Sequence, residues 1–139
     1  MPEHQFRGRR EDQRLVTGRG RYTTDNNVER QAACSFVRAD RAHARIVRVG
    51  IEAARKQRGV IDIVTGADLV AAGWKTPPVL SFFKGVGGSS LKIPFRAGLA
   101  HDRVRFVGEP VAIVVANSPY AARDAAESVA VEYEELPVV

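Results

Sequence analysis

This chain has little of what metal, disulfide or membrane chemistry requires. Its single cysteine, Cys34, excludes a disulfide within the chain. Its three histidines, His4, His43 and His101, are scattered, and none stands at a metal-ligand spacing from Cys34. No apolar run approaches the roughly 18–20 residues of a membrane helix, and no N-terminal h-region marks a signal peptide. With one thiol and no export signal, the expected compartment is the reducing cytoplasm. Lysine is scarce too, present only as Lys56, Lys75, Lys84 and Lys92. What remains is an ordinary soluble composition, 45% hydrophobic and 27% charged over 139 residues, long enough for one domain with a real core.

The net charge of +5 therefore comes from arginine. Six of these residues crowd the start, Arg7, Arg9, Arg10, Arg14, Arg19 and Arg21. A basic, glycine-bearing segment can bind RNA phosphates. Planar guanidinium groups also make fixed bidentate pairs at protein interfaces. The interleaved Glu3, Glu11, Asp12 and Asp25 favour the protein interface, because they break up any single-sign patch. Phe6 and Tyr22 are too few aromatics for a nucleic-acid platform. Residues 1–28 form an arginine- and glycine-rich segment without helical or strand period, and residues 29–139 form the domain proper.

That domain is organised around residues 104–136. A β-like run at Val104–Val107 breaks at Gly108-Glu109-Pro110, and the β-branched run Val111–Ala116 reads as a strand buried on both faces. Ser118-Pro119 opens a helix: serine accepts a bond from a free N–H, and proline at the first position lacks only a donor that would be unpaired. Ala122, Ala125, Ala126 and Val129 form a stripe of small side chains that lets the helix lie close on a sheet. Val129, Val131 and Tyr133 then alternate with Glu132 and Glu134, a half-exposed strand near a sheet edge. Strand, helix and strand in this order predict a βαβ unit with a right-handed crossover.

Upstream, Ala32–Arg38 and Ala44–Gly50 read as strands, followed by a helical turn over Ile51–Gln57 that Gly59 ends. Val60–Val64 reads as a third strand. Thr65 and Asp68 have capping-box spacing, which predicts a helix from Gly66 to Ala72 stopped by Gly73. Strands alternating with helices predict an α/β fold, a small mixed sheet with βαβ units and packed helices. Residues 73–103 carry Pro77-Pro78, Gly85, Gly87-Gly88 and Pro94 and no period, which marks an irregular loop. Trp74 and Phe95 are expected to tuck that loop onto its own core, whereas Phe82-Phe83 fit either a core contact or a partner.

No residue earns a catalytic, cofactor-binding or metal-binding assignment on its chemistry. The glycine-rich GVGGSS at residues 85–90 lacks the lysine of a P-loop and follows no strand, so it reads as a turn. Cys34, inside an apolar strand, reads as a small hydrophobe. Glu109 invites a general-base reading, but a rigid Gly-Glu-Pro bend explains it equally well.

Three stretches carry a resemblance instead: RREDQRLVTGRGRYTTD at residues 9–25, FVRADRAHARI at 36–46, and LAHDRVRFVGEPVAIVVANSPYAARDAAESVAVEYEELP at 99–137. In this order they resemble the N-terminal α/β-hammerhead domain of molybdenum hydroxylase large subunits, the xanthine dehydrogenase, aldehyde oxidase and aerobic carbon monoxide dehydrogenase family. Carbon monoxide dehydrogenase-like large subunits are the nearest in character. The resemblance implies an oxidoreductase whose molybdopterin ligands, catalytic glutamate and substrate pocket lie beyond this domain, and an isolated chain that binds no cofactor and is inactive. It implies partners as well: the molybdopterin-binding remainder of the subunit, an iron–sulfur subunit and a subunit carrying FAD. The chain stops at Leu136-Pro137-Val138-Val139, where such a domain should end, so an excised or truncated domain is expected, with a homo-oligomer of the fragment as a possible state. Two other classes compete: a free-standing arginine-rich module binding RNA or a protein, and a small enzyme using the 73–103 loop over a pocket.

Overall fold

The structure, a computed structural model, describes residues 8–9, 11–75, 83–90 and 97–138. The chain divides into two units, Met1–Gln31 and Ala32–Val139. Phe82, Phe95 and the prolines at 77, 78 and 94 lie outside the described residues, as do His4, Arg7 and Arg10.

In the first unit, a five-residue helix, α1 (Asp12–Val16), begins where the Arg9 N–H donates to Asp12 Oδ2 at 2.7 Å. A short 3₁₀ turn follows at Thr23–Asp25, where the Tyr22 N–H donates to Asp25 Oδ2 at 2.8 Å. The sequence shows no period here because one helical turn and a half is too short to display one. None of the described residues of this unit is buried.

In the second unit, the apolar run becomes the centre of a sheet. Strand β5 (Pro110–Ala116) pairs antiparallel with β1 (Ala33–Arg38) on one side and with β3 (Val60–Thr65) on the other. Its even-numbered side chains Ala112, Val114 and Ala116 are fully buried. A second sheet holds β2 (Ala44–Gly50) between β4 (Arg103–Val104) and β6 (Ala130–Glu135), again antiparallel. Two short helices, α2 (Glu52–Arg55) and α3 (Gly66–Ala71), flank β3, and α4 (Pro119–Glu127) lies across β1 and β5.

Both helix starts are built as the sequence indicates. Ser118 Oγ accepts the Ala121 N–H at 3.2 Å, with Pro119 at the first position of α4. At α3 the capping box closes in both directions: Thr65 Oγ1 accepts the Asp68 N–H at 3.3 Å, and Asp68 Oδ2 accepts the Thr65 N–H at 2.8 Å. The Thr65 hydroxyl and backbone N–H, in that order, hold the Asp68 carboxyl below its usual range.

The core has two parts. Val37, Ala54, Ile63, Ala112, Val114, Ala125 and Val129 fill the space between the first sheet and α4. Ala39, Ala44, Ala100, Val104 and Val111 fill the space beside the second sheet. Val49 and Val131 pack against both, so the two sheets share one interior.

Three expectations are corrected. The segment β5–α4–β6 is not a βαβ unit, because β5 and β6 belong to different sheets and, among the described residues, every strand pairing is antiparallel and neither sheet is mixed. Both edges of β5 are taken by β1 and β3, so α4 leads out of the first sheet. β6 instead pairs with β2, where Glu134 stands opposite Arg45 and Glu132 opposite Arg48. The run at Val104–Val107 is a strand only over Arg103–Val104; from Phe106 the chain turns. Cys34 is exposed, because alternation along β1 turns Ser35 and Val37 toward α4 and leaves Cys34, Phe36 and Arg38 outward.

Candidate functional site

The Gly-Glu-Pro bend is the most tightly organised polar feature of the second unit. The Glu109 N–H donates to Phe106 O at 3.2 Å, closing a turn whose glycine, Gly108, has φ +90°. The turn is clamped to the end of β1: the Gly108 N–H donates to Ala39 O at 2.7 Å and the Ala39 N–H to Glu109 O at 2.9 Å. Arg38 adds a third tie, its Nη1 donating to Gly108 O at 2.9 Å. The Glu109 side chain, 7% exposed, turns inward; its carboxylate accepts the Arg105 N–H at 2.5 Å and Arg105 Nη1 at 3.4 Å. A carboxylate so engaged is a structural acceptor that fixes the loop, not a base facing substrate.

The result is a rigid, outward-pointing tip. Phe106 is 56% and Val107 64% exposed, unusual for apolar side chains on a loop held by four hydrogen bonds. Beside them the Arg38 guanidinium stacks over the Phe36 ring, 5.2 Å from its centroid, a cation–π contact on the open face of β1. Sequence reasoning missed this platform, although the alternation of Cys34, Phe36 and Arg38 in the FVR strand carries the signal.

On the α4 side of β1 runs an open cleft of about 410 Å³. Val37, Ala126, Val129 and Val131 form its apolar lining, and Arg38, Arg123, Asp40 and Glu127 its charged rim. Asp40 is paired with Arg41 at 3.2 Å. Arg123 and Glu127 have no ion pair among the described residues. The Tyr133 hydroxyl is buried in the wall without a hydrogen-bond partner among the described residues. Burial, and then the Asp40 carboxylate, push its pKa above the ordinary tyrosine value, with Arg41 opposing. A second cleft, about 320 Å³ between β2 and α3, has its charges already committed: Arg48 to Glu52 at 3.2 Å, and Asp68 to the helix cap.

The remaining candidates do not converge. His43 Nδ1–H donates to Pro137 O at 2.7 Å, tying β2 to the end of the chain. His101 is exposed in the turn before β4. The glycine-rich turn spends its own amides: Gly85 N–H donates to Ser89 O at 2.8 Å and Gly88 N–H to Gly85 O at 3.0 Å, beneath a bridge between Lys84 and Ser90. Trp74 lies over Gly98, where an added Cβ would sit 3.0 Å from the indole, but it is 45% exposed and so is not tucked into the core as the sequence suggests. Among the described residues no three His, Cys, Asp or Glu side chains are placed to hold a metal. Among the described residues neither the scattered donors nor the self-bonded turn fits molybdenum or a pterin phosphate. No helix among the described residues is long and apolar enough to cross a membrane.

Comparison with known proteins matches this arrangement. Residues 17–137 fit the family model described as aldehyde oxidase and xanthine dehydrogenase, a/b hammerhead domain. The chain is 42% identical over 133 residues to the nicotine 6-hydroxylase large subunit of Paenarthrobacter nicotinovorans, covering 94% of this chain and 15% of that protein. It is 36% identical over 130 residues to the carbon monoxide dehydrogenase large chain of Hydrogenophaga pseudoflava, again covering 94% of this chain and 15% of the relative. Among solved structures, quinoline 2-oxidoreductase from Pseudomonas putida 86 superposes with a TM-score of 0.82 at 40% identity, over 94% of this chain and 16% of that one. The chain thus spans about 15% of the length of the curated relatives it matches. The bend, the two antiparallel sheets and the α4 layer are those of an α/β hammerhead, and the chain belongs to the aldehyde oxidase and xanthine dehydrogenase family as that domain.

Proposed function

We propose that the chain is the non-catalytic N-terminal domain of a molybdopterin-dependent oxidoreductase large subunit. Its work is architectural: it packs against the cofactor-binding remainder of the subunit and offers surface to iron–sulfur and flavin subunits in the cytoplasm. The catalytic, cofactor and metal residues of the enzyme then lie outside these 139 residues. The observation that carries this reading is the match itself, which covers 94% of this chain but only 15% of a nicotine hydroxylase or carbon monoxide dehydrogenase large subunit. The platform of Phe36, Arg38, Phe106 and Val107 supports it, because rigid exposed aromatic and arginine groups suit an interface. Sequencing the gene past codon 139 tests it. An open frame continuing into a molybdopterin-binding sequence is expected; a stop codon with no such sequence encoded alongside would contradict it.

A second reading has one observation in its favour. Arg9, Arg14, Arg19 and Arg21 form no ion pair among the described residues, as an arginine-rich binder of RNA or protein would require. Nucleic acid co-purifying with a steep salt dependence would favour that module.

A further inference from the structure

We propose that the free edge of β1 takes an extended polypeptide segment of the larger subunit as a fourth strand of the first sheet, with a carboxylate of that segment set against Arg123. This rests on the reading of the chain as one domain of that subunit, and specifies which surface is covered and by what.

The edge is open and its direction can be derived. Among the described residues β1 pairs with β5 alone. The Ala39 N–H bonds to Glu109 O, and Arg38 stands opposite Pro110, so Arg38 occupies a position that exchanges no bonds with β5. Carried back along the strand through the irregularity at Val37/Arg38, that phase gives Ala33, Ser35 and Val37 the bonds to β5. The other side of β5 agrees: the Asn117 N–H donates to Gly59 O, which makes Ala116 a non-bonded position toward β3 and so a bonded one toward Ala33. The N–H and C=O groups of Cys34 and Phe36 therefore point away from the sheet, with Arg38 continuing the row. An unpaired row of this kind is a template for another strand.

The surroundings specify what that strand carries. On one face it would lie beside Cys34 and Phe36; on the other, its alternate side chains would enter the cleft between β1 and α4. The cleft's lining is apolar, but two groups there lack partners among the described residues: the Arg123 guanidinium and the buried Tyr133 hydroxyl. Asp40 pairs with Arg41, which it shares with Glu135 at 3.6 Å, and among the described residues Arg38 meets the neutral Gly108 carbonyl and the Phe36 ring. Among the described residues Arg123 on α4 and Arg38 at the β1 edge are guanidinium groups without an ion pair, against one such carboxylate, Glu127. An extended segment with alternating apolar residues and at least one Asp or Glu satisfies the edge, the lining and the charge together.

Hydrogen exchange resolved to single amides, on the 139-residue chain and on the continuous large subunit, tests this. In the isolated monomer the Cys34 and Phe36 amides should exchange quickly while Ser35 and Val37 are protected. In the large subunit Cys34 and Phe36 should slow by roughly tenfold or more, and Arg123→Glu, at an exposed position, should reverse that slowing while leaving the isolated chain's denaturation midpoint unchanged. Protection of Cys34 and Phe36 already present in the monomer, or appearing only as the isolated chain dimerises, would overturn the proposal. So would slowing on other faces of the domain with these two amides still fast, although the packing reading would then survive. If no face slows, the packing reading fails and takes this proposal with it.

Discussion

Replacing Gly108 by valine should destabilise the chain by roughly 1–3 kcal/mol, and the structure shows which physical effect is responsible. Gly108 has φ +90°, a backbone region that L side chains rarely adopt. A Cβ built there meets nothing within 4 Å. The cost is therefore backbone strain alone, the usual 1–3 kcal/mol for a sparsely allowed conformation. Gly66 supplies the contrast. Its Cβ would fall 2.2 Å from the Ala100 carbonyl oxygen and 2.6 Å from its carbon, both backbone atoms. Gly66→Ala must displace the chain entering β4 and should cost about 3 kcal/mol or more. Urea denaturation separates the two. With a slope of roughly 1–3 kcal/mol/M, Gly108→Val should lower the midpoint by about 1 M. D-alanine at position 108, introduced by ligation, should leave it unchanged, because a D residue accepts positive φ. An unchanged midpoint for Gly108→Val, or equal losses for the L and D residues, would refute the strain argument.

Asp68→Asn should cost about 1 kcal/mol at neutral pH through the lost cap of α3. Because the Asp68 carboxyl titrates below its ordinary value in the folded chain, its contribution is present above the unfolded pKa and is lost as pH falls through the folded one. The wild-type denaturation midpoint should therefore fall more steeply with acidification than that of Asp68→Asn, and parallel curves would contradict this. Glu109→Ala should destabilise by roughly 1–3 kcal/mol, since it strands the Arg105 N–H beside a buried site; a neutral effect by calorimetry would mean the bend holds itself. Amides from residues 11–22 should exchange far faster than those of Val111–Ala116, because a unit with no buried residue offers little to offset ordering entropy of roughly 1–2 kcal/mol per residue. Equal protection in a demonstrated monomer would show otherwise.

Local signals in this sequence were legible and pairing signals were not. Ser118-Pro119 and the Thr65–Asp68 spacing specify their helix starts with neighbouring residues alone, and both form as read. The apolar run at Val111–Ala116 announces burial on both faces, yet only the face of Ala112, Val114 and Ala116 is fully buried; Ile113 and Val115 opposite are half-buried. Which strands lie beside it depends on residues 33–38 and 60–65, far off in the chain, so a strand–helix–strand order suggested a crossover that the sheets do not contain. Cys34 was misplaced for a related reason: an edge strand and a central strand can share composition, and only the sheet decides which face is covered. The cleft was invisible for the same cause. Arg123 and Tyr133 stand ten residues apart and come to line one cleft only once α4 and β6 are placed, with Val129 buried and Val131 partly buried. Gly108-Glu109-Pro110 reads as a bend from sequence, yet the inward turn of Glu109 is set by Arg105 and the end of β1, which the sequence does not bring together.

As a structural domain of a larger subunit, the chain is proposed to supply surface and no redox chemistry. The most direct test is elemental analysis of freshly purified 139-residue chain, expressed in a host that makes molybdopterin, alongside a dye-linked dehydrogenase assay. No stoichiometric molybdenum and no activity are expected. One molybdenum per chain, or turnover that tracks the purified protein, would contradict it.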